Sequence, residues 1–319
     1  MPEINLEDIQ KAAQLIRAGK LVAFPTETVY GLGANALDPK AVAEVFKAKE
    51  RPSFDPLIVH IHNLNQLEML TEKVDSRVFR LAEKFWPGPL TMVLPKSKAV
   101  PDIVTSGLPT VGIRMPNNNI ALELIRQAGC PIAAPSANKF GRISPTKAQH
   151  VEKQLQNVDF ILDGGQTVVG IESTVIALHP DGFVILRQGI ITKEDLETVL
   201  PQSTQSIEND ELISSPGHIK SHYSPTKPIY ILNRNIKLTD TKNAAFLSFG
   251  SLPDFEVKTI EYLSASGNLV EAAVNLFEKL HSLEESDCEF IIAEPVPEEG
   301  IGIAIMDRLR KAAFKYLNS

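Results

Sequence analysis

The chain has 319 residues, 43% of them hydrophobic, with 32 Lys+Arg against 39 Asp+Glu and a formal charge of -7. That length exceeds one ordinary domain and predicts two; an acidic chain with 1 Trp lacks the basic footprint of a dedicated nucleic-acid binder, and residues 201–319 carry most of the imbalance. The 2 cysteines, Cys130 and Cys288, lie far apart in apolar surroundings and no long apolar run is present, so the expectation is a reduced, cytoplasmic protein without a disulfide framework or membrane contact.

Leu6, Ile9, Ala13 and Ile16 recur at helical spacing, with Gly19 placed to end the helix before a strand at 21–24. Further helices are predicted at 39–49, 76–85, 117–127 and 145–155, the last opened by Ser144 as N-cap and Pro145 at the first helical position. Strands are predicted at 57–61, 90–94, 111–115, 132–134, 160–162, 173–178 and 183–186. The last two form an antiparallel hairpin around His179-Pro180-Asp181-Gly182, whereas alternating strands and helices elsewhere call for parallel pairing. The expected class is α/β: a twisted mixed open sheet with flanking helices over residues 1–200. Residues 201–228 read as a linker or lid, too long for an internal loop. Residues 229–319, with strands at 229–232, 245–248 and 289–293 and helices at 269–281 and 301–317, read as a smaller Rossmann-like unit.

The stretch from 20 to 60 runs from a strand through Pro25-Thr26-Glu27-Thr28-Val29-Tyr30-Gly31 into a helix ending in Lys47, Lys49 and Arg51. Hydroxyls, backbone N–H groups and cations thus gather at a strand end, where open α/β sheets bind ligands. Gly31-Leu32-Gly33 is not a dinucleotide fingerprint, because six residues separate it from the strand, and no Gly-Lys-Ser/Thr marks a P-loop. Helix-end lysines also occur simply to complement the helix dipole. His60 and His62 share one face of a strand but lack a third ligand, so no protein-held metal is expected. Arg114 closes the strand Thr110-Val111-Gly112-Ile113-Arg114, where it either reaches solvent or pairs with a carboxylate. Ser136 lacks the Gly-x-Ser-x-Gly elbow of a serine nucleophile.

Four motifs in this order, Pro25 to Gly31, Lys49-x-Arg51-Pro52, Pro56-Leu57-Ile58-Val59-His60 and Pro135-Ser136-Ala137-Asn138, resemble the YrdC family of L-threonylcarbamoyladenylate synthases. Residues 201–319 resemble its long form, including Ser215-Pro216-Gly217 and His222-Tyr223-Ser224-Pro225. The resemblance implies synthesis of L-threonylcarbamoyl-AMP from threonine, bicarbonate or CO2 and ATP with Mg²⁺, releasing pyrophosphate. It further implies a separate transferase that modifies the tRNA adenosine next to the anticodon, with tRNA contact by this chain weak or indirect. Thr28, His60, Arg114, Ala134 and Ser173 are implied to face threonine. Lys49, Arg51, Asp55, Thr110, Ser136, Asn138, Ser144, Arg187 and Tyr223 are implied to face ATP, with Thr26 and Glu27 as lesser candidates and no catalytic acid or base assigned. Glu50, Asp55 and His218 depart from the usual Gly, Asn and Met; Asp55 has the alternative role of orienting Mg²⁺ or Arg51. Rival readings are a non-catalytic RNA- or nucleotide-binding module in the same groove, a carbamoyl-transfer enzyme related to hydrogenase-maturation proteins, and a metabolite-binding regulator.

Overall fold

The computed structural model describes residues 5–52, 54–204, 222–232 and 240–316. Most of the linker predicted at 201–228, including Ser215 to Gly217 and His218, lies outside the described residues.

Helix α1 (Leu6–Arg17) starts at Asn5, whose side chain accepts the Glu7 N–H, and buries Ile9, Ala12, Ala13 and Ile16 along one stripe. Strand β1 (Val22–Phe24) pairs antiparallel with β2 (Gly31–Asn35), a segment that reads from sequence only as a glycine-bearing turn. Helix α2 (Pro39–Lys49) has the predicted bounds: Asp38 caps the Lys40 and Ala41 N–H groups, Pro39 opens the helix, and Glu50 ends it at φ 54°. Strand β3 (Ile58–His60), α3 (Gln66–Leu70), α4 (Ser76–Phe85), β4 (Leu90–Pro95), α5 (Asp102–Thr105) and β5 (Thr110–Arg114) follow, then α6 (Asn119–Ala128) and β6 (Ile132–Ala133). Helix α7 (Ala148–Gln154), β7 (Phe160–Ile161), β8 (Thr174–His179), β9 (Gly182–Arg187) and α8 (Lys193–Glu197) complete the first half.

These nine strands form one mixed sheet in the order β7-β1-β2-β6-β3-β5-β4-β8-β9. The β1/β7, β3/β5 and β4/β8 pairs are parallel and the others antiparallel, including the predicted hairpin of β8 and β9. Strand alternation divides the core between two faces. Ala23, Leu32, Ala34 and Val59 join Val42, Val45, Val78 and Leu81 of α2 and α4 on one face. Val22, Phe24 and Ile132 meet Ile9, Ile16, Leu124 and Ile125 of α1 and α6 on the other.

The second half holds β10 (Ile229–Ile231), β11 (Ala244–Ser248), β12 (Thr259–Tyr262), α9 (Leu269–Glu285), β13 (Phe290–Ala293) and α10 (Ile301–Ala313). Its strands are all parallel, in the order β10-β13-β11-β12, which fits the Rossmann-like expectation; β12 is additional to the predicted strands. Helices α9 and α10 lie between this small sheet and the first half. Their buried residues, among them Ala273, Phe277, Ile305 and Leu309, share a core with Val29, Ile143, Ile171 and Tyr223.

The predicted helix at 145–155 needs correction. It begins only at Ala148, after Lys147, so Ser144 caps nothing; its hydroxyl instead donates to Glu172 Oε1 at 2.6 Å.

Gly33 explains why β2 reads poorly as a strand. A Cβ there would stand 2.7 Å from the Phe24 ring and 2.8 Å from Ile132 Cγ2, so close packing requires glycine despite its weak strand propensity. Gly33→Ala is expected to lower unfolding free energy by about 1–3 kcal/mol through overpacking. Urea denaturation checks this, and an unchanged midpoint would remove glycine's packing role.

Candidate active site

The ends of β3, β5 and β8, the turn after β1 and the loop after β6 surround a cleft with about 590 Å³ of space between its walls, open solvent included. Its walls include Thr28, Arg51, Asp55, His60, Arg114, Ala134, Ser136, Ser173, Arg187 and Tyr223, so sequence-predicted residues from widely separated segments converge.

At one end, parallel pairing of β3 and β5 sets His60 directly against Arg114. Thr26 shapes the adjoining turn: its hydroxyl donates to Val29 O at 2.7 Å and accepts the N–H groups of Thr28 and Val29. That turn delivers Thr28 Oγ1 to Arg114 Nη1 at 2.9 Å and Glu27 Oε2 to Arg114 Nη2 at 2.7 Å. The Glu27 contact is close but not aligned as a hydrogen bond, and Nη2 is itself buried. A guanidinium that lines the cleft with a carboxylate beside it suits an anion with planar oxygens.

At the other end Arg51 is held by Asp55, with an Nη2 to Oδ2 distance of 2.8 Å, and donates to the carbonyls of Asp55 and Pro56 at 3.1 Å each. Asp55 therefore orients Arg51, one of the two alternatives its sequence allows. Arg187 Nε and Nη2 donate to Ser173 O and Oγ at 3.1 and 3.0 Å, and Ser173 Oγ lies 2.8 Å from Thr91 Oγ1. Tyr223 enters from the second half at φ 61°, its ring 5.3 Å from Phe277 and 4.1 Å from His222.

Four predicted residues do not line the cleft. Lys49 Nζ donates to the carbonyls of Ser136 and Asn138, so it braces the loop; burial, followed by repulsion from Arg51, pushes its pKa well below the usual lysine range. Asn138 Nδ2 donates to Lys139 O and Arg142 O, shaping the same loop. Thr110 lies instead on a separate small cavity with Thr91, Thr105 and Val175. Ser144 sits behind the wall on Glu172.

Sequence reasoning misses Glu172 and His222 in the wall and Arg308 behind it. A carboxylate set between Ile171 and the apolar β8 is a usable signal for Glu172. Arg308 leaves none, because Glu172 and Gln188, the partners that tie it to the first half, are more than a hundred residues away. For Mg²⁺ the donor chemistry fits only an ion carried by nucleotide phosphates. Glu27, Asp55 and Glu172 are each engaged by an arginine, and no cluster of three or more His, Cys, Asp or Glu suited to a metal occurs among the described residues.

The profile of the Sua5/YciO/YrdC family, described as Telomere recombination, matches residues 14–189, and that described as Threonylcarbamoyl-AMP synthase, C-terminal domain, matches residues 191–314. Threonylcarbamoyl-AMP synthase of Bacillus subtilis is 45% identical, covering 97% of this chain and 94% of its own; that of Pyrococcus abyssi is 42% identical, covering 96% and 94%. The chain belongs to the threonylcarbamoyl-AMP synthase family. The crystal structure of P. abyssi Sua5 complexed with L-threonine superposes with a TM-score of 0.87 at 40% identity, covering 98% of this chain and 96% of that one. Like these synthases, this chain is an enzyme of nucleotidyl transfer with the long-form two-unit architecture. No helix among the described residues is long and apolar enough to cross a membrane.

Burial, reinforced by Arg114, pushes the His60 pKa down to about 3 from 6.5. An unfolded histidine binds its proton near 6.5 while folded His60 stays neutral, so the stabilisation is complete above 6.5 and is lost on acidification toward 3. His60→Asn is expected to remove up to about 1.4 kcal/mol per pH unit from the slope of unfolding free energy in that window. Urea titrations between about pH 4 and pH 7 measure it, and an identical slope in the variant would show that His60 titrates normally.

Proposed function

We propose that the cleft joins threonine, bicarbonate or CO2, and MgATP into L-threonylcarbamoyl-AMP, with Thr28, His60, Arg114, Ala134 and Ser173 on the threonine side. Arg51, Ser136, Arg187 and Tyr223 serve the nucleotide, with Asp55 and Lys49 holding Arg51 and the Ser136 loop in place. The observation that carries this reading is the guanidinium of Arg114, backed by Glu27 and flanked by Thr28 and His60, in the same cleft as Arg51 and Arg187.

The threonine amine forms an N–C bond to the carbon of CO2 and loses a proton, giving a carbamate. A carbamate oxygen then attacks the α-phosphorus of ATP, the bond from that phosphorus to the bridging oxygen breaks, and pyrophosphate leaves with its Mg²⁺. Two anions must approach each other, so catalysis consists chiefly of positioning and charge neutralisation. Arg114 receives the threonine carboxylate, while Arg51 and Arg187 offset phosphate charge. His60, neutral at physiological pH, adds no charge to be desolvated. The enclosed walls slow hydrolysis of the mixed anhydride until release. A separate transferase consumes that product on the tRNA adenosine beside the anticodon. The setting that suits this role is the cytoplasm, where two free, buried cysteines stay reduced.

Pyrophosphate release measured with MgATP, bicarbonate and threonine is expected to require all three; release indifferent to threonine would end the synthase reading. Loss of a charge-assisted pair weakens binding by about 1.5–3 kcal/mol. Arg114→Ala is therefore expected to raise the threonine KM about tenfold or more with little change in the ATP KM. An equal rise in both constants would show that Arg114 serves another role.

A further inference from the structure

Arg308 is fully buried and belongs to α10, in the second half, yet among the described residues its charged and carbonyl partners outside its own helix lie in the first half. Its Nε faces Glu172 Oε2 at 3.3 Å, its Nη1 donates to Gln188 O at 2.6 Å, and its guanidinium carbon lies 5.8 Å from the Tyr223 ring centroid. Within α10 it has Asp307 Oδ2 and Ala304 O, each 3.4 Å from Nη1. Glu172 is 6% exposed, lines the cleft, and accepts from Ser144 through its other oxygen. One side chain from the second half thus touches three segments that form the nucleotide side, at Glu172, Gln188 and Tyr223.

We propose that Arg308 is a positioning residue for ATP, acting by neutralising Glu172 and fixing the segments that carry Arg187 and Tyr223; the name of the ligand rests on the functional reading above. The cleft wall contains a carboxylate that faces an incoming triphosphate. With Arg308 in place its charge is compensated in a medium of low polarity. Without Arg308 an unpaired carboxylate repels the nucleotide, and the Gln188 carbonyl loses its guanidinium donor. Threonine keeps Arg114, whose partners Thr28 and Glu27 are not partners of Arg308, so its binding changes less than that of the nucleotide. The second unit is therefore part of the ATP site.

Calorimetric binding of MgATP and of threonine, each alone, to full-length wild type, Arg308→Met and the Glu172→Gln/Arg308→Met double variant tests this without depending on turnover. The expectation for Arg308→Met is MgATP affinity about tenfold or more weaker, the loss typical of an uncompensated buried partner, with threonine affinity within about twofold of wild type. Removing both charges is far less disruptive than removing one, so the double variant is expected to fold and to recover MgATP affinity to within about threefold of wild type. Equal weakening of both ligands, unchanged MgATP affinity in folded Arg308→Met, or a double variant that fails to fold or to regain binding each overturns the proposal. If Arg308→Met cannot be obtained folded, the double variant alone decides. Should threonine-dependent pyrophosphate release be absent from wild type, the functional reading fails while these affinities still report on Arg308.

Discussion

Three arginines buried around one cleft are each held by a carboxylate: Arg51 by Asp55, Arg114 by Glu27 and Arg308 by Glu172. Isolated guanidinium groups could not be withdrawn from water at such depth, and paired ones offer little net stability, because desolvation offsets most of the attraction. Their value lies in placement. Charge is assembled during folding and aimed before any substrate arrives, so a carboxylated amino acid and a triphosphate meet dipoles that need not reorganise. His60 follows the opposite course and stays neutral beside Arg114, which keeps one end of the cleft from accumulating a second cation.

The sheet is what makes that placement possible. Parallel register between β3 and β5 fixes His60 opposite Arg114, and parallel register between β4 and β8 brings Thr91 beside the Ser173 end of β8. Because a one-residue slip would turn every side chain to the opposite face, the apolar alternation of Val22, Ala23 and Phe24 and of their neighbours also determines which polar residues reach the cleft. Packing of the core and geometry of the site are therefore one constraint.

Wherever the deciding chemistry is local, the sequence itself makes it legible. Helix α2 is readable from local signals because Asp38 and Pro39 stand together at its start and Lys47 and Lys49 in its last turn. Thr28, His60, Arg114, Ala134 and Ser173 are singled out by motif resemblance, and all five line the cleft. Features decided by distant partners are not legible. Strand β2 exists because Gly33 lets Phe24 and Ile132 close over it, a reason absent from the Gly-Leu-Gly-Ala-Asn stretch itself. Ser144-Pro145 has the local form of a helix start, yet Glu172 claims the hydroxyl, and the helix opens later, beside His150 Nδ1 at 3.3 Å from the Thr146 N–H. Strand β12, half-exposed at the edge of the small sheet, lacks the apolar signal that marks buried strands. Lys49 reads as a phosphate ligand from its neighbours in sequence, whereas carbonyls from the loop after β6 take its ammonium.

The second unit is more than an appendage. Val29 on the turn after β1 and Ile171 next to Glu172 belong to the same apolar cluster as Phe277 and Leu309. Any tilt of α9 or α10 would therefore strain the turn that presents Thr28 and the segment that presents Ser173. The αL backbone of Tyr223, which costs a non-glycine residue on the order of 1 kcal/mol, is sustained by the same packing against Phe277 and Arg308. Gly170 meets α9 so closely that a Cβ would fall 2.3 Å from Val274 O, leaving no room for the two units to slide past each other there. A chain without α10 would have to compensate Glu172 with water or with another cation, and either substitute would be less fixed in direction than a guanidinium anchored on a helix. The cleft is thus floored by one sheet and closed by the His222-Tyr223 segment that packs on the helices of the other, and its electrostatics cannot be assigned to either unit alone.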